Sequence, residues 1–208
     1  MVRDASGERA ARMQWDERHR SGDFEGSGPN GTMVDAVGGW EPARALELAC
    51  GSGTNAVWLA RQGWQVTAVD WSPVALSNAQ RQAHDAGVRI SLLEKNLFDW
   101  TPPESAFELV LAVYLHLPPA QRLPVYAAAV RGLVPGGCLV VIGHDRSNAV
   151  EGQPSHPEPE RLFTAAELGD ELLRNDAGLS VERADAVRQQ PAPEHNPIDA
   201  LLVLRRDL

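Results

Sequence analysis

The chain is short of several residue types, and each shortage narrows what it does. Lys95 is its single lysine, and 19 cationic residues against 28 acidic ones leave a formal net charge of −9. A surface built to neutralise a nucleic-acid backbone needs the opposite sign, so no nucleic-acid partner is expected. The only two cysteines, Cys50 and Cys138, lie in different apolar segments and form no C-x-x-C pair. That argues against a disulfide framework and against a zinc site, so no metal is expected, and both thiols read as small buried hydrophobes in a reducing cytoplasm. No run of 18 apolar residues is present, so no transmembrane helix is expected, and the opening MVRDASGERAARMQWDERHR lacks the apolar segment of a secretory signal. No internal repeat is found.

What is present reads as one α/β domain. The 208 residues, 43% of them hydrophobic, suffice for a core of ordinary size and leave no room for a separate substrate domain. Residues 8–20 read as a charged helix, 21–31 as a turn-rich loop or flap, and 33–40 as a short helix ending at Gly38–Gly39. From there strands are predicted over 43–49, 64–70, 88–96, 107–114 and 137–145, with helices over 54–63, 72–87 and 119–133. Ser72 caps the second of these helices, Pro73 takes its first position and Gly87 closes it. Pro124 is expected to break or start the third. An irregular stretch at 151–163 precedes a helix over 164–175 capped by Thr164, then strands over 179–190 and 199–206. Their connection is too short for a crossover helix, so this last pair is antiparallel on an otherwise parallel sheet. Residues 1–40 are expected to form a helix and lid segment of the same domain, and 41–208 its core.

ELACGSGTNAVWLA, residues 47–60, is the most informative stretch. Gly51 and Gly53 lie between a strand and a helix. Glycine there permits close backbone approach, and the helix N-terminus favours a negative group. With Ala56 they complete G-x-G-x-x-A, which also fits a dinucleotide fingerprint. No Gly-Lys-Ser/Thr follows, which sets a P-loop aside. Asp70 ends the next strand 19 residues after Gly51, where a carboxylate accepts hydrogen bonds from both hydroxyls of a ribose. Glu47 favours one reading over another: two phosphates have little use for a carboxylate, whereas a sulfonium with a free ammonium group welcomes one. An NAD(P)-dependent oxidoreductase and a non-catalytic adenosyl-ligand-binding domain stay open as alternatives.

LELACGSGTNA (46–56), VTAVDWSP (66–73), LEKNLFDW (93–100), FELVLAVYLHLP (107–118) and LVPGGCLVV (133–141) resemble, in this order, the motifs of class I S-adenosylmethionine-dependent methyltransferases. The resemblance implies a Rossmann-like doubly wound seven-stranded sheet of order 3-2-1-4-5-7-6 with an antiparallel last strand. WDERHRSGDFEGSGPN (15–30) is similar to the start of small-molecule members related to tellurite-resistance and thiopurine methyltransferases. The implied cofactor is S-adenosyl-L-methionine and the implied partner a small-molecule methyl acceptor, with no nucleic acid, no membrane, and a monomer or homodimer. Position by position, the resemblance implies that Ala49, Cys50, Gly51 and Gly53 wrap the methionine portion and that Glu47 reaches its ammonium. Asp70 would bind the ribose and Trp71 lie against the adenine. Asn96 would meet the adenine amino group and the Leu97 N–H a ring nitrogen. Val113 and Tyr114 would stand beside the sulfonium. Ala49 replaces a common first glycine, which a negative φ would allow. Asn96 replaces a common aspartate and offers its carbonyl instead.

Methyl transfer is an in-line displacement that needs alignment and dryness, and needs a base only when the acceptor must lose a proton. Ligands of open α/β sheets bind beyond the carboxyl ends of the strands, where Tyr114, His116, His144, Asp145 and Arg146 fall. Tyr114, His116 and His144 are the candidate catalytic residues, with a helix cap as the alternative role of His116. Arg146 either binds an anionic acceptor or pairs with Asp145. Trp15, Arg18, His19, Arg20 and Phe24 are candidates for a lid, Trp15 as a cofactor-binding residue of it, and Trp15 and Phe24 equally for plain packing. Trp58 and Trp64 read as packing, His84 as an exposed helix residue, and His156 and His195 as loop residues.

Overall fold

The computed structural model describes residues 5–22, 28–150, 158–188 and 197–208. Phe24, His156 and His195 lie outside them. The strands are β1 (Arg44–Leu48), β2 (Gln65–Asp70), β3 (Ser91–Glu94), β4 (Phe107–Val113), β5 (Leu133–His144), β6 (Leu179–Arg188) and β7 (Ile198–Arg206). The helices are α1 (Ala5–Ser21), α2 (Gly31–Val37), α3 (Thr54–Arg61), α4 (Pro73–Asp85), α5 (Pro119–Gly132), α6 (Ser147–Val150) and α7 (Ala165–Leu173). All strands join one sheet of order β3-β2-β1-β4-β5-β7-β6, in which β1 to β5 pair in parallel and β7 runs antiparallel to both β5 and β6. This is the expected doubly wound topology.

Alternation along the strands gives the sheet two cores. Leu46, Val110, Leu139, Val141 and Leu202 face Tyr126 and Val130 of α5 and Leu168 of α7, whereas Ala45, Leu109, Leu111, Val140 and Val203 face Met33 of α2, Leu59 of α3 and Leu76 of α4. Trp64 is buried in the second core and Trp58 packs against it, while His84 is exposed. Helix starts follow the side-chain signals: the Ser72 hydroxyl accepts from the Ala75 amide at 3.1 Å, and Thr164 and Glu167 form a reciprocal capping box. Pro124 does not break α5, which continues through it to Gly132. The apolar face formed by Val125, Tyr126, Ala129 and Val130 is buried, and that packing outweighs the one backbone bond the proline cannot make. Helix α6 was not anticipated. Asp145 starts it by accepting from the Ser147 amide and hydroxyl at 2.8 and 2.7 Å.

Two features position the site. Strands β1 to β5 end at one edge of the sheet, and β7, being antiparallel, begins there. Helix α1 lies against α4 and reaches the same edge through polar ties. Arg12 pairs with Glu94 at 2.6 Å, the Ser72 hydroxyl donates to Asp16 at 2.5 Å, and the Asn78 amide donates to the His19 carbonyl at 3.0 Å. No helix among the described residues is long and apolar enough to cross a membrane.

Candidate active site

Between β1 and α3 the backbone turns through three left-handed residues, Ala49 (φ +51), Gly51 (φ +53) and Gly53 (φ +79). The negative φ expected at Ala49 is therefore not what the turn uses. The chain must leave β1, give the Cys50 amide to the Val69 carbonyl at 3.0 Å, and bring the Gly53 amide back to the Cys50 carbonyl at 2.9 Å. Holding alanine in that region costs about 1–2 kcal/mol. At Gly53 a Cβ would sit 2.7 Å from that of Ala79, so the loop lies directly on α4. At Gly51 it would sit 3.4 Å from Cε1 of His19.

Two buried carboxylates flank this loop. Glu47, in β1 between Ala68 of β2 and Leu111 of β4, is 1% exposed. Its Oε1 accepts from Asn55 at 3.0 Å, whereas Oε2 is buried with no hydrogen-bond partner among the described residues. Burial pushes its pKa up to about 8. Asn55 also accepts the Asn30 amide at 2.9 Å, which ties the start of α2 to the loop. Asp70, at the end of β2, accepts the Gly51 amide on Oδ2 and the Ser72 amide on Oδ1, each at 2.9 Å, and burial raises its pKa as well. Each carboxylate oxygen takes two hydrogen bonds, so Asp70 keeps acceptor capacity for a hydroxyl donor.

A cleft of about 620 Å³ opens between α1 and the ends of β2 and β3, lined by Met13, Asp16, Trp71, Glu94, Lys95 and Asn96 among others. Asn96 does not present its carbonyl to this cleft alone. Its Oδ1 accepts the Phe98 amide at 3.0 Å, a local turn that asparagine side chains favour, and its amide nitrogen donates to Glu8 and Asp99 at 3.3 and 3.4 Å. Leu97 packs against the first core. Of the lid candidates on α1, His19 turns inward, with Nδ1 3.3 Å from the Ser52 hydroxyl. Trp15 is 40% exposed with the Arg18 guanidinium over its ring, and Arg20 pairs with Glu17 at 2.9 Å. Asp16, which the sequence reading passed over, is the buried partner of Ser72.

A second polar cluster stands where β4 and β5 end and β7 begins. Tyr114 follows Val113 with φ +55, a strained conformation for a bulky residue, and donates its hydroxyl to both oxygens of Asp199 at 3.2 and 3.0 Å. Burial and the adjacent carboxylate hold that phenol well above its usual pKa, so Tyr114 is a donor here and not a base. Thr32 of α2 donates to Asp199 at 3.3 Å, and His144 Nδ1 lies 3.6 Å from the same carboxylate. The His116 and His144 rings stack at 5.1 Å, and His116 Nε2 accepts the His144 backbone amide at 3.0 Å. A neutral imidazole that accepts there carries its proton on Nδ1, so His116 braces the end of β5 and offers no lone pair for proton abstraction. Arg146 pairs with Glu167 at 2.7 Å rather than with Asp145. Asp199 was missed in the sequence. Its signal is a lone acid at the mouth of an otherwise apolar strand, DALLVL.

These residues fit the cofactor that the resemblance implies. An unpartnered carboxylate oxygen beside the loop suits an ammonium group, Asp70 suits a ribose, and the cleft beside Trp71 suits a flat base. Residues 45–137 match the family model described as a methyltransferase domain. The chain is 32% identical over 103 residues to a demethylmenaquinone methyltransferase of Thermus thermophilus, covering 49% of this chain and 47% of that protein. It is 35% identical over 143 residues to an uncharacterized methyltransferase of Synechocystis sp., covering 68% and 65%. The curated relatives it matches are longer, and the chain spans 33% to 65% of their length. An S-adenosylmethionine-dependent methyltransferase structure from Methanosarcina mazei superposes with a TM-score of 0.68 at 16% identity, over 88% of this chain and 100% of that one, which is a likeness of fold.

Proposed function

We propose that this chain, whose residues 45–137 match a methyltransferase-domain model, is a class I methyltransferase that binds S-adenosyl-L-methionine and transfers its methyl group to a small-molecule acceptor. The observation that carries the reading is Glu47: a carboxylate buried in a parallel strand, one oxygen unpartnered, beside a left-handed loop. Two phosphates at that turn would further oppose ionisation of this carboxyl, whereas an ammonium favours the carboxylate and supplies the missing donor.

The bound cofactor supplies an electrophilic methyl group on a cationic sulfur. The chain's residues do the rest. Glu47 binds the ammonium, and the backbone of Ala49, Cys50, Gly51 and Gly53 lines the methionine portion. Asp70 receives a ribose hydroxyl while holding the loop through the Gly51 amide. Trp71 lies along the base, with Asn96 and Leu97 at its far edge. Val113 and Tyr114 close the end of β4 beside the reacting centre. Helix α1, part of an N-terminal segment over 1–40 that serves the core over 41–208, covers the crevice and excludes water. Alignment of this kind supplies up to roughly 7–11 kcal/mol of rate acceleration in favourable systems.

The small-molecule acceptor is supported by the net charge of −9, by the likeness of WDERHRSGDFEGSGPN to small-molecule members, and by the demethylmenaquinone methyltransferase among its relatives. The proposed setting is the cytoplasm, as a monomer or homodimer. Calorimetric titration with S-adenosylhomocysteine and with NADH tests the reading. The first is expected to bind and the second not, and the reverse would overturn it. A radiolabelled methyl screen over thiols, phenols, alcohols and amines then separates an enzyme from a domain that only binds.

A further inference from the structure

We propose that His144, oriented by Asp199, is the general base of the transfer and that the acceptor presents a phenolic or enolic hydroxyl; this rests on the methyltransferase reading. The inference starts from strand direction. Because β7 runs antiparallel to β5, its first residues lie at the edge where β5 ends, and Asp199 is the register partner of His144. Asp199 is fully buried and already accepts from Tyr114 and Thr32. His144 Nδ1 is 3.6 Å from its Oδ1 and, although buried, hydrogen-bonds to nothing among the described residues. A neutral imidazole so placed puts its proton on Nδ1, facing the carboxylate, and its lone pair on Nε2. The side chain is 21% exposed, at the carboxyl end of β5, so the ring is not sealed from solvent.

The neighbouring groups are engaged elsewhere. Tyr114 donates to Asp199, His116 Nε2 is occupied by the His144 amide, Asp145 starts α6, Arg146 pairs with Glu167, and Arg161 donates to the His116 carbonyl at 3.3 Å. Among the described residues His144 is the side chain of this cluster left with an acceptor nitrogen, and its ring lies 4.7 Å from that of Tyr114 at the end of β4.

The acceptor class follows from what a base accomplishes. An amine attacks through its own lone pair and sheds a proton afterwards, and a thiol ionises readily unaided. A hydroxyl must lose its proton as the new bond forms. Imidazole is matched to a phenol or enol, whose pKa is roughly 10, and poorly matched to an aliphatic alcohol. As the hydroxyl proton passes to His144 Nε2, the oxygen forms the C–O bond, the methyl–sulfur bond breaks with its electron pair left on sulfur, and the imidazolium then returns the proton to water. Asp199 stabilises the imidazolium without taking up a proton, which makes it a positioning residue.

Side-chain 15N shifts of His144 in the free wild-type protein read the tautomer directly. A protonated Nδ1 with a bare Nε2 is expected, and the opposite tautomer overturns the proposal whether or not any variant folds. Para-cresol, protonated at assay pH, and para-nitrophenol, largely ionised there, then serve as methyl acceptors. His144→Gln should lower kcat on para-cresol by 10²–10³-fold and far less on para-nitrophenol, and Asp199→Asn should lower kcat with KM little changed. Equal losses on both phenols would overturn the base role, and wild-type transfer confined to amines or thiols would overturn the acceptor class. S-adenosylhomocysteine calorimetry runs in parallel. Binding with either failure refutes this inference alone, whereas no binding by the wild-type protein refutes the methyltransferase reading with it.

Discussion

Asn55 donates to one oxygen of Glu47 at 3.0 Å and leaves the other buried without a donor among the described residues. Local structure explains the first half: Asn55 sits one residue inside α3, directly above the end of β1. The second half is the signature of a site that expects a cation.

Glu47 should therefore couple ligand binding to proton release. With a pKa of about 8, the carboxyl of the free protein is mostly protonated at pH 7, and an ammonium beside it makes the ionised form preferred. S-adenosylhomocysteine binding should release up to about one proton at neutral pH, seen as different apparent enthalpies in phosphate and Tris. Glu47→Gln should remove the difference, and identical enthalpies in the wild-type protein would dismiss the ammonium assignment. The same shift has a stability sign. A pKa raised from 4.5 to about 8 gives stability that is full below pH 4.5 and is lost as pH rises through 8, so denaturation midpoints of the free protein should fall across that window, less so in Glu47→Gln.

Asp70→Ala removes a buried acceptor shared by two backbone amides and, in the proposed complex, a ribose hydroxyl. Affinity for S-adenosylhomocysteine should drop by about 1.5–3 kcal/mol, roughly 10- to 150-fold in Kd. An unchanged Kd in a variant that still unfolds cooperatively would remove Asp70 from the ribose.

The glycine loop yields two substitutions of opposite sign. Ala49→Gly relieves a left-handed alanine and should stabilise the protein by about 1 kcal/mol, or about 2–4 °C in Tm for a chain of this size. Gly51→Val forces a branched side chain into φ +53 against His19, and should abolish S-adenosylhomocysteine binding while circular dichroism shows most of the fold retained. Normal binding by Gly51→Val would reduce the loop to a turn.

Helix α1 is fastened at this edge by polar groups, among them Asp16 on Ser72 and His19 on Ser52, contacts that are cheap to open. Hydrogen exchange over residues 10–22 should slow when S-adenosylhomocysteine is added, and Asp16→Ala should blunt that protection and weaken binding. Equal exchange in both states, with unchanged turnover by Asp16→Ala, would leave α1 as edge packing.

The order of strands and helices was legible in the sequence because each signal was local. Ser72, Pro73 and Gly87 bracket α4, Thr164 starts α7, and short apolar runs mark the buried strands. The glycine loop and Asp70 were legible for the same reason, since a turn and a strand end recur at fixed spacing. Tertiary structure alone decided the rest. Pro124 stays inside α5 because the helix's buried face outweighs one lost bond, and Ala49 adopts a positive φ because its neighbours' hydrogen bonds fix the turn. Asp16 and His19 become partners of residues on the glycine loop and α4 only once α1 has docked. Asp199 lies 55 residues beyond His144 and 85 beyond Tyr114, and it meets them only because β7 is laid antiparallel into the sheet. Short-range chemistry writes elements into a sequence; which side chains share a buried pocket is set by strand order and direction, and no single stretch of the chain carries that.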